Sequence, residues 1–312
     1  MLGSFPTPYP DELLYSVVAR YHILRGNKSF RQTHEELFET VDLQADKIVL
    51  PNNLNFLVSQ LPQGSQLTVE SLIKRNTLYP FFRNFLTPIE IYSFKNLLRS
   101  KSSTSISQAA KISDKERNRV LKFCPQCYAE EEQYYGEAYW HRQHQIPGIL
   151  VCLKHKVPLL NSEILLDNQQ IHYYAASQVD LSKIEQNLYT KEFMQLALSI
   201  NQELDWLSRN YIEFQGMTWL RNKYKSLLIE KGFITKYSRT RFKYHETKFT
   251  EAFVKFYGAE FLQIIQPELW KKRSAYLEYS LLSCDINQTI DRVTHILLIK
   301  FLCGFIRNIF TQ

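Results

Sequence analysis

Over the first hundred residues, apolar positions recur at helical spacing between short polar breaks. Leu14, Val17, Val18 and Tyr21 stand at i, i+3, i+4 and i+7, which predicts an amphipathic helix. Asp11 is placed to cap its start and Gly26 to end it. The same periodicity predicts a second helix over Phe30–Phe38 and others near Asn53–Leu61, Thr68–Asn76 and Pro88–Leu98. The aromatic-rich NTLYPFFRNF, Asn76–Phe85, reads as core. From 100 to 116 the chain turns rich in Ser and Lys (SKSSTSISQAAKISDKE), the signature of a linker or mobile loop and of a domain boundary. Residues 161–192 read as a connecting segment with some strand character, and helical patterning resumes from 193 to 312. The pattern as a whole predicts a mainly α, multi-domain chain: an N-terminal helical domain (1–99), a linker (100–116), a small module (117–160) and a C-terminal helical domain (193–312).

Two apolar features bear on location. The run Ile296–Ile306 is interrupted by Lys300 and is shorter than the roughly 20 residues a bilayer demands, which predicts a buried helix and no membrane partner. The opening MLGSFPTPYPDELLYSVVAR places two acids and three prolines where a signal peptide has a basic start and an apolar run, the pattern of a cytoplasmic protein.

Composition removes several enzyme classes. Glycine is scarce, nine in 312 residues, and neither phosphate-cradling glycine motif, G-x-x-x-x-G-K-[ST] or G-x-G-x-x-G, is present. No cluster of acids at metal-binding spacing suggests a nuclease or recombinase. The chain is expected not to be an enzyme.

Five cysteines are too few and too odd in number for a disulfide framework, yet three of them fall in a pattern. Cys124-Pro-Gln-Cys127 and Cys152-Leu-Lys-His155 are two C-x-x-[CH] turns separated by 24 residues, enough for a helix or hairpin between them. Each such turn aims two donors at one point, and two turns complete the tetrahedron of a structural Zn²⁺ with no position left for a catalytic water. A thioredoxin-type redox pair has no use for the distant C-x-x-H, and buried thiols of the core seldom pair this way. His141 and His144 lie in the interval as rival ligands; their i, i+3 spacing more simply places them on one helix face, toward a partner. Cys284 and Cys303 read as ordinary buried thiols.

Charge is the second informative pattern. Between Arg221 and Thr250 stand nine basic residues, Arg221, Lys223, Lys225, Lys231, Lys236, Arg239, Arg241, Lys243 and Lys248, against Glu230 and Glu246; the rest of the chain holds 29 of each sign, so the formal charge of +7 is all here. The layout reads as a helix (TWLRNKYKSLLIEKG) ended by Gly232, a turn through Phe233-Ile234-Thr235, and a basic aromatic stretch leading into a helix ended by Gly258. That order resembles a helix-turn-helix unit offering a basic element to double-stranded DNA. Arg221, Lys223, Lys225, Lys236, Arg239, Arg241, Lys243 and Lys248 are the candidate DNA contacts. A merely solvated helical face is the plainer alternative.

With these residues in view, the chain resembles the TnsD/TniQ family, target-site selection proteins of Tn7-like transposons. FPTPYPDELLYSVVAR matches that family's opening, with Phe5, Pro6, Pro8, Tyr9, Glu12, Leu13, Tyr15, Ser16, Ala19 and Arg20 in place. NTLYPFF, the cysteine stretch FCPQC to PL, and DRVTHILLIKFL (Asp291–Leu302) are similar to three further blocks in order. The resemblance implies a non-catalytic bacterial adaptor, associated with the nucleoid, that recruits a TnsC-type AAA+ ATPase through its N-terminal part, with Phe5, Pro6, Pro8 and Tyr9 as partner contacts. It implies one Zn²⁺ on Cys124, Cys127, Cys152 and His155. TnsD-like members bind an attachment site directly, whereas TniQ-like members of CRISPR-associated transposons serve an RNA-guided effector complex.

Overall fold

The computed structural model describes residues 1–40, 46–166, 172–185, 188–238, 241–267 and 290–310. These are mainly helical. The N-terminal part is a run of helices: α1 (Leu14–Arg25), α2 (Phe30–Phe38), α3 (Asp46–Val49), α4 (Leu54–Gln60), α5 (Val69–Asn76), α6 (Tyr79–Phe82), α7 (Pro88–Arg99) and α8 (Ile106–Ala109). There follow β1 (Val120–Phe123), α9 (Pro125–Tyr135) and β2 (Leu160–Leu165), then α10 (Lys191–Arg209), α11 (Met217–Glu230), β3 (Ile234–Lys236), β4 (Phe242–Tyr244), α12 (Glu246–Tyr257) and α13 (Ala259–Ile265). Two last helices are α14 (Arg292–Cys303) and α15 (Ile306–Phe310).

Every residue of α1 from Leu14 to Tyr21 is buried, so the predicted stripe is part of a helix covered on all sides, as expected of an element at the centre of a fold. Asp11 does not cap it. Leu13 is the N-cap residue and makes no side-chain cap. Asp11 sits in the left-handed region at φ 58°, where its carboxylate accepts from the Gln143 backbone N–H at 2.9 Å and from Arg142 Nε at 3.0 Å. A buried helix start has its donors met by neighbouring chain, and the carboxylate is free to tie a distant loop. Gly26 ends α1 at φ 65° as predicted. Capping by Ser29 on α2 and Thr68 on α5 fixes two further starts.

NTLYPFFRNF is core: Tyr79, Phe81, Phe82 and Phe85 are all buried. The Ser/Lys-rich stretch 100–116 is packed rather than loose, because its apolar minority points inward. Ile106, Ala110 and Ile112 are buried, and Glu116 meets Arg292 of α14 at 3.1 Å with both side chains fully covered. Strand character in 161–192 belongs to β2, which pairs antiparallel with β1 (Phe123↔Leu160, Val120↔Leu165) and so closes the cysteine-bearing unit. The apolar run beginning at Ile296 is the buried α14, whose Lys300 is held 3.7 Å from Glu203 of α10.

One contiguous set of buried apolar side chains runs from Leu2 through Cys152 to Ile309. Gly148 marks the tightest seam. It has φ 81°, and a Cβ there would lie 3.1 Å from Val293 and 3.2 Å from Leu204. Gly148→Ala is therefore expected to cost about 1–3 kcal/mol through strain and overpacking, read as a lower urea midpoint; an unchanged midpoint would show that the seam gives way freely.

Candidate functional site

Cys124 is the N-cap residue of α9, Pro125 follows at its first position, and Gly136 ends it at φ 77°. That start brings Cys127 round one turn later to the same side as Cys124. The second turn is tighter. Cys152 N–H donates to the Val157 carbonyl at 2.9 Å, the Lys156 N–H donates to the Cys152 carbonyl at 2.7 Å, and Lys156 takes the left-handed conformation at φ 58°. The reversal carries His155 back over Cys152.

The four side chains converge. His155 Nδ1 lies 3.3, 3.4 and 3.8 Å from the Sγ atoms of Cys124, Cys127 and Cys152, and Cys127 Sγ is 3.8 Å from Cys152 Sγ. A disulfide needs sulfurs at about 2.05 Å, so these are not oxidised pairs. A tetrahedral Zn²⁺ with bonds of about 2.3 Å to sulfur and about 2.0 Å to nitrogen requires S···S edges of about 3.8 Å and S···N edges of about 3.5 Å. The observed edges fit, and all three cysteines are buried. The cluster can hold a metal ion.

A further residue supports it that the sequence reading did not single out. Glu130, one turn beyond Cys127 on α9, accepts from His155 Nε2 at 3.0 Å and also pairs with Lys154. A carboxylate on the far nitrogen fixes the imidazole with Nδ1 facing the sulfurs, the usual support for a metal-bound histidine. The i, i+3 spacing from Cys127 was the available signal.

His141 and His144 do not lie on a common α-helix face. They stand about a short 3₁₀ turn (Gln143–Gln145), and His144 is 2% exposed. His141 is clasped by Glu131 and Asp11. Burial alone would lower its pKa, but the two carboxylates prevail and raise it to about 9, so it stays protonated at neutral pH. Cys127, Glu131 and His141 form a rival donor set, yet His141 and Glu131 are already joined to each other and no fourth donor joins the set among the described residues. Cys303 is half-buried and outside either cluster; Cys284 lies outside the described residues.

The N-terminal segment folds back on its own chain. Phe5 packs on Tyr21 with ring centroids 5.6 Å apart, and Tyr9 stacks near Tyr135 and Tyr139 beneath the Arg20 guanidinium, 3.9 Å from its ring. Pro6 and Pro8 are half-buried beside them. Glu12 is wholly buried, held by Arg20 Nη1 at 3.0 Å and by the Tyr9 N–H at 2.8 Å. Burial raises its pKa to about 6 even against Arg20.

The basic stretch differs from its expected form. Between α11 and α12 lies a β-hairpin, with Ile234↔Tyr244 and Lys236↔Phe242 in register, not a tight turn into a basic helix. The alternation of aromatic residues with a cation in Phe242-Lys243-Tyr244 is a strand period, and with the β-branched Ile234-Thr235 paired opposite it it overrides the helical reading. Helix α12 balances Lys248 and Lys255 against Glu246 and Glu251, so the excess charge rides on the hairpin and α11. Lys236, Arg241 and Lys243 are exposed there, with Tyr237 and Phe242 exposed between them. Lys225 lies 3.5 Å over the Phe242 ring and braces the hairpin on α11. Lys223 reaches the Trp219 ring at 5.8 Å, Arg221 is half-buried, and Lys248 donates to the Gly232 carbonyl at 3.1 Å. Arg239 lies outside the described residues.

A family model described as TniQ matches residues 4–159, half of the chain. The chain belongs to the TniQ family. The match takes in the helices α1–α8 and both cysteine turns, ending four residues past His155, while the basic hairpin lies beyond it. Among curated proteins, the "Transposon Tn7 transposition protein TnsD" of Escherichia coli is 27% identical over 182 residues, 58% of this chain and 35% of that protein. The chain thus spans about a third of the length of this relative. Within the TniQ-matched region, Glu12, Arg20, Asn76 and Trp140 form one knot: Asn76 Nδ2 donates to the Glu12 carbonyl at 2.7 Å, and the Leu13 N–H to that of Trp140 at 2.9 Å. No helix among the described residues is long and apolar enough to cross a membrane.

Proposed function

We propose that this TniQ-family protein is a non-catalytic selector of transposition target sites. It engages duplex DNA through the hairpin and the adjoining edge of α11, carries one structural Zn²⁺ on Cys124, Cys127, Cys152 and His155, and hands the site to a TnsC-type AAA+ ATPase through its N-terminal helices. Labour is divided along the chain, with the partner surface within 1–99, the metal module at 117–160 and the DNA element within 193–312. The observation that carries the reading is the joint presence of the TniQ match, supported by the TnsD likeness, and a projecting hairpin that displays cations between aromatic rings.

Phosphate contacts make a measurable demand. Each phosphate neutralised on duplex DNA steepens the fall of log K with log salt by about 0.9. The double change Lys236→Ala and Lys243→Ala is expected to weaken binding to any duplex and to flatten that slope by about 2, with metal content unchanged. Wild-type protein that fails to bind DNA, or a variant with an unaltered slope, would remove the hairpin from the reading.

A second reading keeps the adaptor and moves the specificity elsewhere. Three cations, Lys236, Arg241 and Lys243, are exposed on the described part of the hairpin, a small footprint beside the roughly 1,000–2,500 Å² of specific DNA complexes. This favours a TniQ-like subunit whose target is chosen by an RNA-guided CRISPR effector complex. Equal affinity for attachment-site and scrambled duplexes is expected under the second reading, preference for one site under the first.

A further inference from the structure

A groove of about 1350 Å³ runs between α5 and α6 on one side and α9 on the other, floored by Pro8–Asp11, Tyr139 and His141. It exceeds the roughly 300–1,000 Å³ typical of small-molecule sites. Its two walls differ in chemistry. One carries Lys74 and Arg75 of α5, both exposed, and Arg83 just past α6. None of the three is joined to a carboxylate among the described residues, and the Nε of Arg83 is buried without a hydrogen-bond partner. The other wall carries Tyr134, 81% exposed, and Tyr135. The groove's acids are already engaged: Asp11 with Arg142 at 3.0 Å, Glu130 with His155 and Lys154, Glu131 with His141.

From this we infer that the groove is a docking channel for an extended acidic peptide segment of a protein partner. Its carboxylates would meet Lys74, Arg75 and Arg83 while apolar or aromatic side chains lie on Tyr134 and Tyr135. Two or three negative charges on one edge would pair with Lys74 and Arg75 on α5 and with Arg83, whose guanidinium lies 5.3 Å from the Tyr211 ring. A nucleic acid strand suits the groove less, because phosphates following its length would run beside Glu130 and Glu131. Aromatic surface beside fixed cations is the composition that concentrates binding energy at protein interfaces, and the charges serve discrimination between partners. The inference rests on the adaptor reading only in assigning the occupant to a protein partner; the hairpin plays no part in it.

The test uses the full chain and an array of ten-residue peptides holding two to four Asp or Glu among Leu, Phe and Pro, each beside its Asn/Gln analogue, with (dT)₁₀ as a nucleic-acid probe. Binding is followed by fluorescence anisotropy. Acidic peptides are expected to bind at least tenfold more tightly than their amide analogues, and the double change Lys74→Glu and Arg75→Glu to abolish that preference while duplex DNA binding and the melting temperature hold. Tyr134→Ala, on an exposed side chain, should weaken peptide binding by itself and serves where the charge reversal perturbs folding. Equal binding of acidic and amide peptides overturns the inference, as does (dT)₁₀ outcompeting every peptide for the groove. Peptide binding that persists in a protein unable to bind duplex DNA would overturn the targeting reading and leave the groove assignment standing.

Discussion

Changing Cys127 to serine is expected to strip the protein of its metal and to collapse the unit around it. Serine offers a weak donor in place of a thiolate and leaves three ligands facing a gap. Structural zinc contributes apparent binding free energies of about 10–16 kcal/mol in zinc-finger peptides, as large as the whole stability of an ordinary domain at about 5–15 kcal/mol. The remaining local ties are a handful of hydrogen bonds, the backbone bonds of the second turn, the Asn201 amide on the Val151 carbonyl and the pairing of β1 with β2, each worth only about 0.5–1.5 kcal/mol net. Because Trp140 lies in the interval between the turns and is wholly buried against α1 and Tyr174, the damage should spread into the N-terminal helices. Wild-type protein should contain one zinc per chain by elemental analysis and lose its cooperative thermal transition on strong chelation; the Cys127→Ser variant should lack both metal and transition from the outset. Cys303→Ser, at a half-buried thiol apart from the cluster, is the matched control and should keep the metal. A Cys127→Ser protein with full zinc and an unchanged melt would remove the site assignment.

How far the sequence could be read depended on the range of the interaction concerned. The cysteine turns were legible because a metal site demands donor types at fixed local spacing, and the helices α2, α5 and α7 because caps and stripes are local too. Long-range compensation was not legible. Asp11 looked like a cap and serves Arg142 and Gln143, more than 130 residues away. The segment 100–116 reads as a linker because composition weighs every Ser and Lys as exposed, whereas Ser107 and Ser113 are buried with Ile106, Ala110 and Ile112. His141 and His144 looked like a presented face because their spacing says nothing of what covers them. The hairpin is hidden for another reason: its cations suit a basic helix as well as a strand, and the period-2 signal is confined to Phe242-Lys243-Tyr244, too short to stand out against a turn between helices.

The second large effect belongs to Arg292, which spacing could not have singled out. Its guanidinium is fully buried and donates to Glu116 and to the carbonyls of Phe82, Asn84, Ala110 and Ile290, so one side chain joins α6, the 100–116 stretch and α14. Replacing it with methionine keeps the bulk but leaves four carbonyls without that donor and a buried carboxylate without its counter-charge, held only by the backbone N–H groups of residues 292 and 113. Removing one member of a buried pair typically costs about 3–5 kcal/mol. Burial already raises the Glu116 pKa to about 7 although Arg292 pulls it down. With the folded value above the ordinary carboxylate value of about 4.3, the unfolded chain ionises first, and stability declines as pH rises between those two points. Without Arg292 the folded value moves higher still, so the decline should continue past pH 7 by up to about 1.4 kcal/mol per unit. Urea melts at pH 5.5 and 8.5 are therefore expected to show a larger loss for Arg292→Met at the higher pH. Glu116→Gln in the same background should recover much of that pH-dependent part, because a neutral amide has no charge to bury, but not the part owed to the four carbonyls. An equal loss at both pH values would mean that Glu116 reaches water once its partner is gone, and that the clasp between α14 and the 100–116 stretch opens rather than strains.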